Sequence, residues 1–288
     1  MALNREIIRL FDEYTHAPLD RRVFLKRLAA LAGGAAAAQA LLPMLENNYA
    51  QAAFIPEDDQ RLAIETITYA GATGEMTGYW AQPADATDPL PAIIVIHENR
   101  GLNPHIQDVV RRAALAGYVA LGPDFLSPAG GTPTDEDAAR DLIGGLDPQQ
   151  TLDNALATLA FLLDHEAVTD KVGCVGFCWG GGLTNRLATN TPLLAAAVPF
   201  YGSAPPAEEV PNITAPLLLH YAELDDRINA GIPGYEAALQ SADKTYTLHM
   251  YEGVDHAFHN DTNASRYNEA AATLAWERTL AFFQEHLV

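Results

Sequence analysis

One short segment limits the fold of this chain more than any other: a buried β-strand pattern that runs directly into a glycine-rich turn. The apolar run Val172–Gly176 is followed by Phe177-Cys178-Trp179-Gly180-Gly181-Gly182 and then by a helical pattern over Leu183–Thr189. Glycines two positions before and after Cys178 allow the backbone to turn sharply and to pass close to neighbouring chain. Such a strand-to-helix turn is typical of parallel sheets in which helices follow strands.

The chain after residue 54 repeats this alternation of short apolar and longer amphipathic segments. Ile93–Ile96 is a continuous β-branched run, as expected for a strand buried on both faces. We therefore predict an α/β fold over residues 55–288, with a doubly wound, mostly parallel sheet and helices on both faces. The predicted strands are 62–69, 77–82, 93–97, 118–121, 171–176, 195–200, 217–221 and 245–251, the first two antiparallel, and the predicted helices are 106–116, 135–143, 148–164, 183–189 and 263–286.

The charge of the chain argues against nucleic acid as a partner. The sequence carries 17 Lys and Arg against 37 Asp and Glu, a formal net charge of −20. A surface of that sign repels phosphate backbones and anionic membranes. We expect a small-molecule ligand, and a homodimer is compatible with the sequence.

Residues 1–54 form an extension of different composition. Asp20-Arg21-Arg22-Val23-Phe24-Leu25-Lys26 precedes a Gly- and Ala-rich apolar stretch and the small residues around Asn48–Ala52, which resembles a twin-arginine export signal. This interpretation predicts a periplasmic protein without stable membrane anchoring, because the apolar stretch is too short to span a bilayer. The alternative is an uncleaved arm in a cytoplasmic protein. That arm would have an amphipathic helix from Asn4 to about Tyr14, and its leucines would pack on the main domain or on a second subunit: Leu25, Leu28, Leu31, Leu41, Leu42 and Leu45.

Cys178 is the candidate nucleophile, at a turn where a nucleophile is held at the head of a helix and a thiolate is favoured. In this fold an acid and then a histidine follow, each just after a strand. We predict Asp225 as the acid and His256 as the base; their neighbours Asp226 and His259 are the alternatives. Cys174, inside the strand, is predicted to be ordinary core.

Together these motifs resemble the dienelactone hydrolase family of α/β-hydrolases. The resemblance rests on His97-Glu98, Gly117-Tyr118, Pro123-Asp124, Gly-Phe-Cys-Trp-Gly-Gly around Cys178, Tyr201-Gly202 and Asp255-His256-Ala257-Phe258. It implies a Cys178–Asp225–His256 triad and an oxyanion hole formed by the backbone amides of Asn99 and Trp179. It also implies that Glu98 pairs with the resting thiol and moves aside for substrate; the alternative is that Glu98 only caps a turn.

The resemblance implies a cofactor-free hydrolase of carboxylic esters or lactones that forms a thioester acyl-enzyme. Asn260 stands where dienelactone-cleaving members of the family carry an arginine for the substrate carboxylate, so a neutral ester or lactone is favoured. Tyr201 and Phe200, with Trp179, are candidate walls of the substrate pocket. A thioesterase, amidase or general carboxylesterase, and a non-catalytic binding protein, are the alternatives.

The sequence also contains a cluster that suggests a metal site: Asp255, His256, His259 and Asp261. We predict no metal there, because the two histidines lack the helical i, i+4 spacing of such sites and the triad already uses His256.

Overall fold

A computed structural model describes residues 4–16, 19–49 and 54–288, and in it the main domain is built on one eight-stranded sheet. The strands lie in the order β1-β2-β4-β3-β5-β6-β7-β8; β1 and β2 are antiparallel to each other, β2 is antiparallel to β4, and the remaining pairs are parallel. The strands are β1 (Leu62–Ala70), β2 (Glu75–Pro83), β3 (Leu90–Ile96), β4 (Val119–Asp124), β5 (Val168–Phe177), β6 (Ala196–Phe200), β7 (Leu217–Ala222) and β8 (Tyr246–Tyr251). The predicted α/β class with a mostly parallel sheet is confirmed.

Helices cover both faces of this sheet, as the sequence predicts. They are α4 (Pro104–Leu115), α5 (Glu136–Gly144), α6 (Pro148–Leu163), α7 (Trp179–Asn190), α8 (Asp226–Asn229), α9 (Ile232–Ser241) and α10 (Glu269–Leu287). Two apolar clusters separate on the two faces of the sheet; one contains Ile94 and Cys174, the other Ile93 and Val175. Alternation of side chains along β3 and β5 therefore supplies both cores.

The last helix begins six residues later than predicted. Asn268 caps α10 through its side chain, which accepts a hydrogen bond from Ala271 N at 3.0 Å. Residues 257–268 instead form an irregular loop whose polar side chains are buried, among them Asn260, Thr262 and Asn263. Asn263 and Asn268 are both residues that favour a helix N-cap, and the structure uses the second.

The extension folds into three helices: α1 (Arg5–His16), α2 (Arg21–Ala32) and α3 (Ala35–Leu45). The predicted amphipathic helix is α1, and its buried face includes Ile7, Leu10 and Phe11. We call α1 to α3 with their described connections the N-terminal segment (residues 4–16 and 19–49). Residues 50–53, which contain part of the predicted cleavage region, lie outside the described residues.

Most buried apolar side chains of the N-terminal segment pack on one another. Their cluster joins Ile7, Leu10, Phe11 and Tyr14 of α1 to Phe24 and Leu28 of α2 and Ala38 and Leu45 of α3. The leucines expected to pack on the main domain or on a second subunit include Leu28 and Leu45, which are buried inside this cluster, and Leu31, which is 40% exposed. Among the described residues, no single helix has the length and hydropathy of a membrane span; α2 and α3 pass such a test only as a pair bent by 109°.

Candidate active site

Cys178 lies between β5 and α7 in a strained backbone conformation, with φ 55° and ψ −113°. Close backbone contacts require the glycines on both sides. A Cβ at Gly176 would lie 2.2 Å from the carbonyl oxygen of Gly180, and one at Gly180 would lie 2.5 Å from that of His97. The predicted turn is therefore present, and it holds the thiol at the head of α7.

Asp225 and His256 form the pair that the sequence predicts. Asp225 follows β7 and His256 follows β8, and the Oδ2 atom of Asp225 lies 2.5 Å from Nδ1 of His256. The second oxygen of Asp225 accepts a hydrogen bond from Ile228 N at 3.2 Å, which fixes the carboxylate at the start of α8. Both side chains are buried.

The charges around His256 favour its protonated form. Burial lowers its pKa, but the charges of Asp225 and Cys178 and the hydrogen bond to Asp225 outweigh that effect and raise the pKa to about 9. The pKa of Asp225 is lowered: burial opposes ionisation, and the neighbouring imidazole overcomes it. Nε2 of His256 has no hydrogen-bond partner among the described residues, and a ring nitrogen of His256 lies within 4.8 Å of the Cys178 sulfur.

The alternative acid and base residues lie elsewhere. Asp226 is exposed and pairs with Arg9 at 2.8 Å. His259 is buried between aromatic rings, with its ring 4.9 Å from that of Phe177 and 5.3 Å from that of Phe200. Burial holds the pKa of His259 well below its usual value. Neither residue competes with the Asp225–His256 pair.

The two predicted oxyanion-hole residues flank the turn. Trp179 is the first residue of α7, so its amide has no residue four positions earlier in the helix to bond. Asn99 follows β3, and its side chain donates a hydrogen bond to the carbonyl oxygen of Thr15 at 2.6 Å. The N-terminal segment therefore contacts one of these two residues directly.

Glu98 is not hydrogen-bonded to the thiol. Its carboxylate accepts a hydrogen bond from Asn260 Nδ2 at 2.6 Å and one from the Tyr201 hydroxyl at 3.5 Å. It does not cap a turn through its side chain either. The hydrogen-bond partner of the Cys178 sulfur is Nε2 of His16, at 3.1 Å.

Of the predicted substrate-pocket residues, only Tyr201 and Trp179 line the cavity at the thiol. Phe200 is fully buried among aromatic rings, including those of Phe177 and His220, so its assignment to the pocket is wrong. Asn260 is also buried, and its amide is used internally: the nitrogen donates to Glu98, and the oxygen accepts from the Thr262 amide at 3.1 Å and hydroxyl at 2.6 Å. Asn260 is therefore not free to bind a substrate.

The cavity lies between the main domain and the N-terminal segment, with a volume of about 1550 Å³. Cys178 and His256 line it from one side and His16 from the other. Sequence reasoning missed His16 and its partner Asp12. The helical periodicity of α1 was visible, but nothing in a single sequence relates the last turn of that helix to a cysteine 162 positions later.

The suggested Asp255–His256–His259–Asp261 cluster does not assemble. His259 lies in the core, and Asp261 pairs with Arg112 and, at 2.9 Å, with Nδ1 of His105. Among the described residues, one other group of potential metal ligands converges: His16, Cys178 and His256, whose ligand atoms all lie within 4.8 Å of one another.

Comparison with known proteins places this site in a family. The profile of the Dienelactone hydrolase family matches residues 76–287. The chain is 33% identical over 245 residues to a Bradyrhizobium protein named "Probable 2-oxo-3-(5-oxofuran-2-ylidene)propanoate lactonase", covering 78% of this chain and 98% of that protein. It is also 33% identical over 256 residues to a "Putative carboxymethylenebutenolidase" of Saccharolobus solfataricus, covering 76% of this chain and 97% of that protein.

A solved structure agrees with these relatives. The crystal structure of a "Putative Dienelactone Hydrolase" from Klebsiella pneumoniae superimposes with a TM-score of 0.71 at 30% identity, covering 78% of this chain and 99% of that one. The matched family profile spans most of the main domain, including Cys178, Asp225 and His256. This chain belongs to the dienelactone hydrolase family, and its main domain has the α/β-hydrolase fold.

Proposed function

We propose that the protein hydrolyses carboxylic esters or lactones through a Cys178–His256–Asp225 triad. The observation that carries this proposal is the strained turn that holds the Cys178 sulfur within 4.8 Å of a ring nitrogen of His256, whose Nε2 has no hydrogen-bond partner among the described residues. The relatives named as a lactonase and a carboxymethylenebutenolidase support the choice of bond. The groups required for acyl transfer are therefore in one place.

The proposed reaction proceeds in two halves. The Cys178 sulfur bonds to the ester carbonyl carbon, and the oxyanion that forms is stabilised by the amides of Trp179 and Asn99. The C–O bond breaks as protonated His256 donates its proton to the leaving oxygen, which leaves a thioester. His256 then accepts a proton from water, the hydroxide attacks the thioester carbonyl, and the carboxylic acid and the thiol are released.

A neutral substrate fits the cavity better than an anionic one. Four arginines line the cavity: Arg21, Arg100, Arg140 and Arg227. Each of them already lies near a carboxylate. The first three pair with Asp137 and the fourth lies 3.6 Å from Asp12. These four guanidinium groups are therefore already close to carboxylates, and the Asn260 amide is hydrogen-bonded inside the protein, so none of these five side chains is reserved for a substrate carboxylate.

The test compares the two cysteines of the chain. Cys178→Ala should abolish turnover of p-nitrophenyl acetate and of lactones, a loss of about 10⁴-fold or more in kcat. Cys174→Ala is the control, because Cys174 is buried in the core and its pKa is raised to about 12 by burial. Equal activity of wild type and Cys178→Ala would contradict the triad. No turnover of any ester or lactone by the wild type would favour a binding protein instead.

We also propose export by a twin-arginine-type signal, on the motif Arg21-Arg22 and the small residues that follow it. N-terminal sequencing of the protein recovered from its native host is the test. A mature protein that begins near residue 50 in the periplasmic fraction supports export. An intact N-terminus in the cytosolic fraction contradicts it.

A further inference from the structure

A third side chain reaches the nucleophile from outside the family domain. His16 is the last residue of α1, and its Nε2 lies 3.1 Å from the Cys178 sulfur. Its ring meets that of His256 edge to face, with 4.6 Å between the ring centroids. The triad does not require this residue, so the arrangement needs an explanation of its own.

Both imidazoles have an oxygen partner at Nδ1. Nδ1 of His256 is hydrogen-bonded to the carboxylate of Asp225 at 2.5 Å, whereas Nδ1 of His16 is hydrogen-bonded to the backbone carbonyl oxygen of Asp12 at 2.9 Å and lies 3.1 Å from the carboxylate of the same residue. In both rings Nδ1 therefore has an oxygen partner, which leaves Nε2 as the nitrogen available to a metal ion. Carboxylates or carbonyls bonded to the second nitrogen are the usual outer partners of metal-binding histidines.

The donor set and spacing suit zinc. One thiolate and two imidazole nitrogens are ligands that Zn²⁺ prefers, with bonds of about 2.0–2.3 Å. In a tetrahedral site of that size, neighbouring ligand atoms are about 3.5 Å apart. Here they lie between 3.1 Å and 4.8 Å apart, so side-chain shifts of about 1 Å would close the site.

The surroundings are also suitable. Nε2 of His256 is buried and has no hydrogen-bond partner among the described residues, so no protein group competes with a metal ion for this nitrogen. The cavity that these side chains line leaves room for water as a fourth ligand. We propose that His16, Cys178 and His256 together bind one Zn²⁺ ion, in a site that exists only while α1 covers the main domain.

The proposed site would stop hydrolysis when filled. Zinc binding needs a thiolate and a neutral imidazole, so it releases to solvent the one proton that Cys178 and His256 hold between them, and it occupies both the sulfur and Nε2 of His256. Neither atom can then attack a substrate or transfer a proton. This inhibition rests on the proposed function, whereas zinc binding itself rests only on the three ligands.

Cobalt provides the direct test. The full chain is stripped with a chelator, kept reduced with a phosphine, and titrated with Co²⁺ alone. We expect one equivalent to bind, a thiolate-to-cobalt charge-transfer band, the intense visible bands of four-coordinate Co²⁺, and displacement by Zn²⁺. His16→Ala should weaken binding by about 100-fold or more, and Asp12→Asn by about 10- to 100-fold, since Asp12 only positions His16.

Controls separate this result from other causes. His286→Ala in the last turn of α10 removes a histidine outside the cluster and should bind Co²⁺ as the wild type does. Circular dichroism checks that each variant is folded, and Asp12→Asn tests the site even if His16→Ala disturbs α1. The proposal is overturned if the charge-transfer band is absent, or if both Asp12→Asn and His16→Ala bind Co²⁺ as tightly as the wild type. A chain that binds Co²⁺ but hydrolyses no ester keeps the zinc site and loses the proposed function.

Discussion

At the scale of single residues, the position of Cys178 depends on neighbouring glycines, which have no Cβ atom. Its positive φ is unfavourable for any residue with a Cβ, so surrounding contacts must impose it. Its amide donates to the Phe200 carbonyl at 3.0 Å, and its own carbonyl accepts from Gly182 N at 3.1 Å. Gly181 allows the first turn of α7 to approach the Phe200 carbonyl, and Gly180 allows it to approach the end of β3.

Gly180→Ala should therefore destabilise the protein. The new methyl group would lie 2.5 Å from the His97 carbonyl oxygen and 2.6 Å from that of Ile96, and backbone atoms cannot rotate away. We expect a loss of about 3 kcal/mol in the free energy of unfolding, measured with urea. Gly234→Ala in α9 is the matched control, because no atom lies within 4 Å of its Cβ position. It should gain about 0.5–1 kcal/mol from helix propensity; equal effects of both substitutions would contradict this account.

Asp261 should make the stability of the protein depend on pH in the acid range. Burial raises its pKa, but hydrogen bonds and charges of His105 and Arg112 outweigh it and lower the pKa to about 2. A carboxyl whose pKa is lower in the folded state than in the unfolded state stabilises the protein fully when the pH is above the unfolded-state pKa. That stabilisation is lost as the pH falls through the folded-state pKa. The shift corresponds to about 2 kcal/mol at neutral pH.

The measurement compares urea unfolding of wild type and Asp261→Asn at neutral pH and at about pH 3. We expect Asp261→Asn to be less stable at neutral pH, and the difference to shrink in acid. Asp170→Asn, an exposed position in β5, should change stability little at either pH. A difference for Asp261→Asn that stays constant across this range would show that packing, and not ionisation, is responsible.

The sequence predicts the position of a residue well when that residue comes directly after a strand of the parallel sheet. Cys178, Asp225 and His256 each come just after a buried strand, and parallel strands bring such positions to one edge of a sheet. It failed where the place depends on side-chain packing between distant segments. Phe200 and Asn260 lie close in sequence to site residues, yet their side chains turn into the core.

At the scale of elements, Asp137 in α5 is the main polar link between the N-terminal segment and the main domain. Its carboxylate accepts hydrogen bonds from the Tyr14 hydroxyl and from Nη1 of Arg21, each at 2.5 Å. It also forms ion pairs with Arg100 and Arg140 of the main domain. These positive charges and the Tyr14 bond lower the pKa of Asp137 against the opposing effect of burial. One carboxylate therefore joins α1, α2 and α5.

Asp137→Asn should loosen the N-terminal segment without unfolding it. We expect faster amide hydrogen exchange over α1 to α3 and faster proteolysis between α1 and α2, because the charge that holds Tyr14 and Arg21 is gone. Glu13→Gln is the control, since Glu13 pairs with Arg27 inside the N-terminal segment and in exposed positions. Unchanged exchange in Asp137→Asn would show that other contacts hold the segment in place.

At the scale of the whole molecule, the net charge of −20 affects how substrates arrive. Repulsion between like charges slows the encounter with an anionic ester and is screened by salt. We expect kcat/KM for an anionic ester to rise with ionic strength from about 0.01 to 0.15 M, over which the Debye length falls from about 30 to 8 Å. The neutral analogue should respond little; a parallel rise for both esters would point to a general effect of salt on the enzyme.

The three N-terminal helices pack most of their buried apolar side chains on one another, and their contacts with the main domain include ion pairs, hydrogen bonds and rings that contact arginine, such as Arg266 over Phe11. Separation of the two parts would thus uncover mainly groups that water solvates well, with little loss of buried hydrocarbon. Proteolytic trimming of the first helices is therefore compatible with an intact hydrolase. It would convert a covered thiol into an accessible one, much as a proenzyme is converted into its working form.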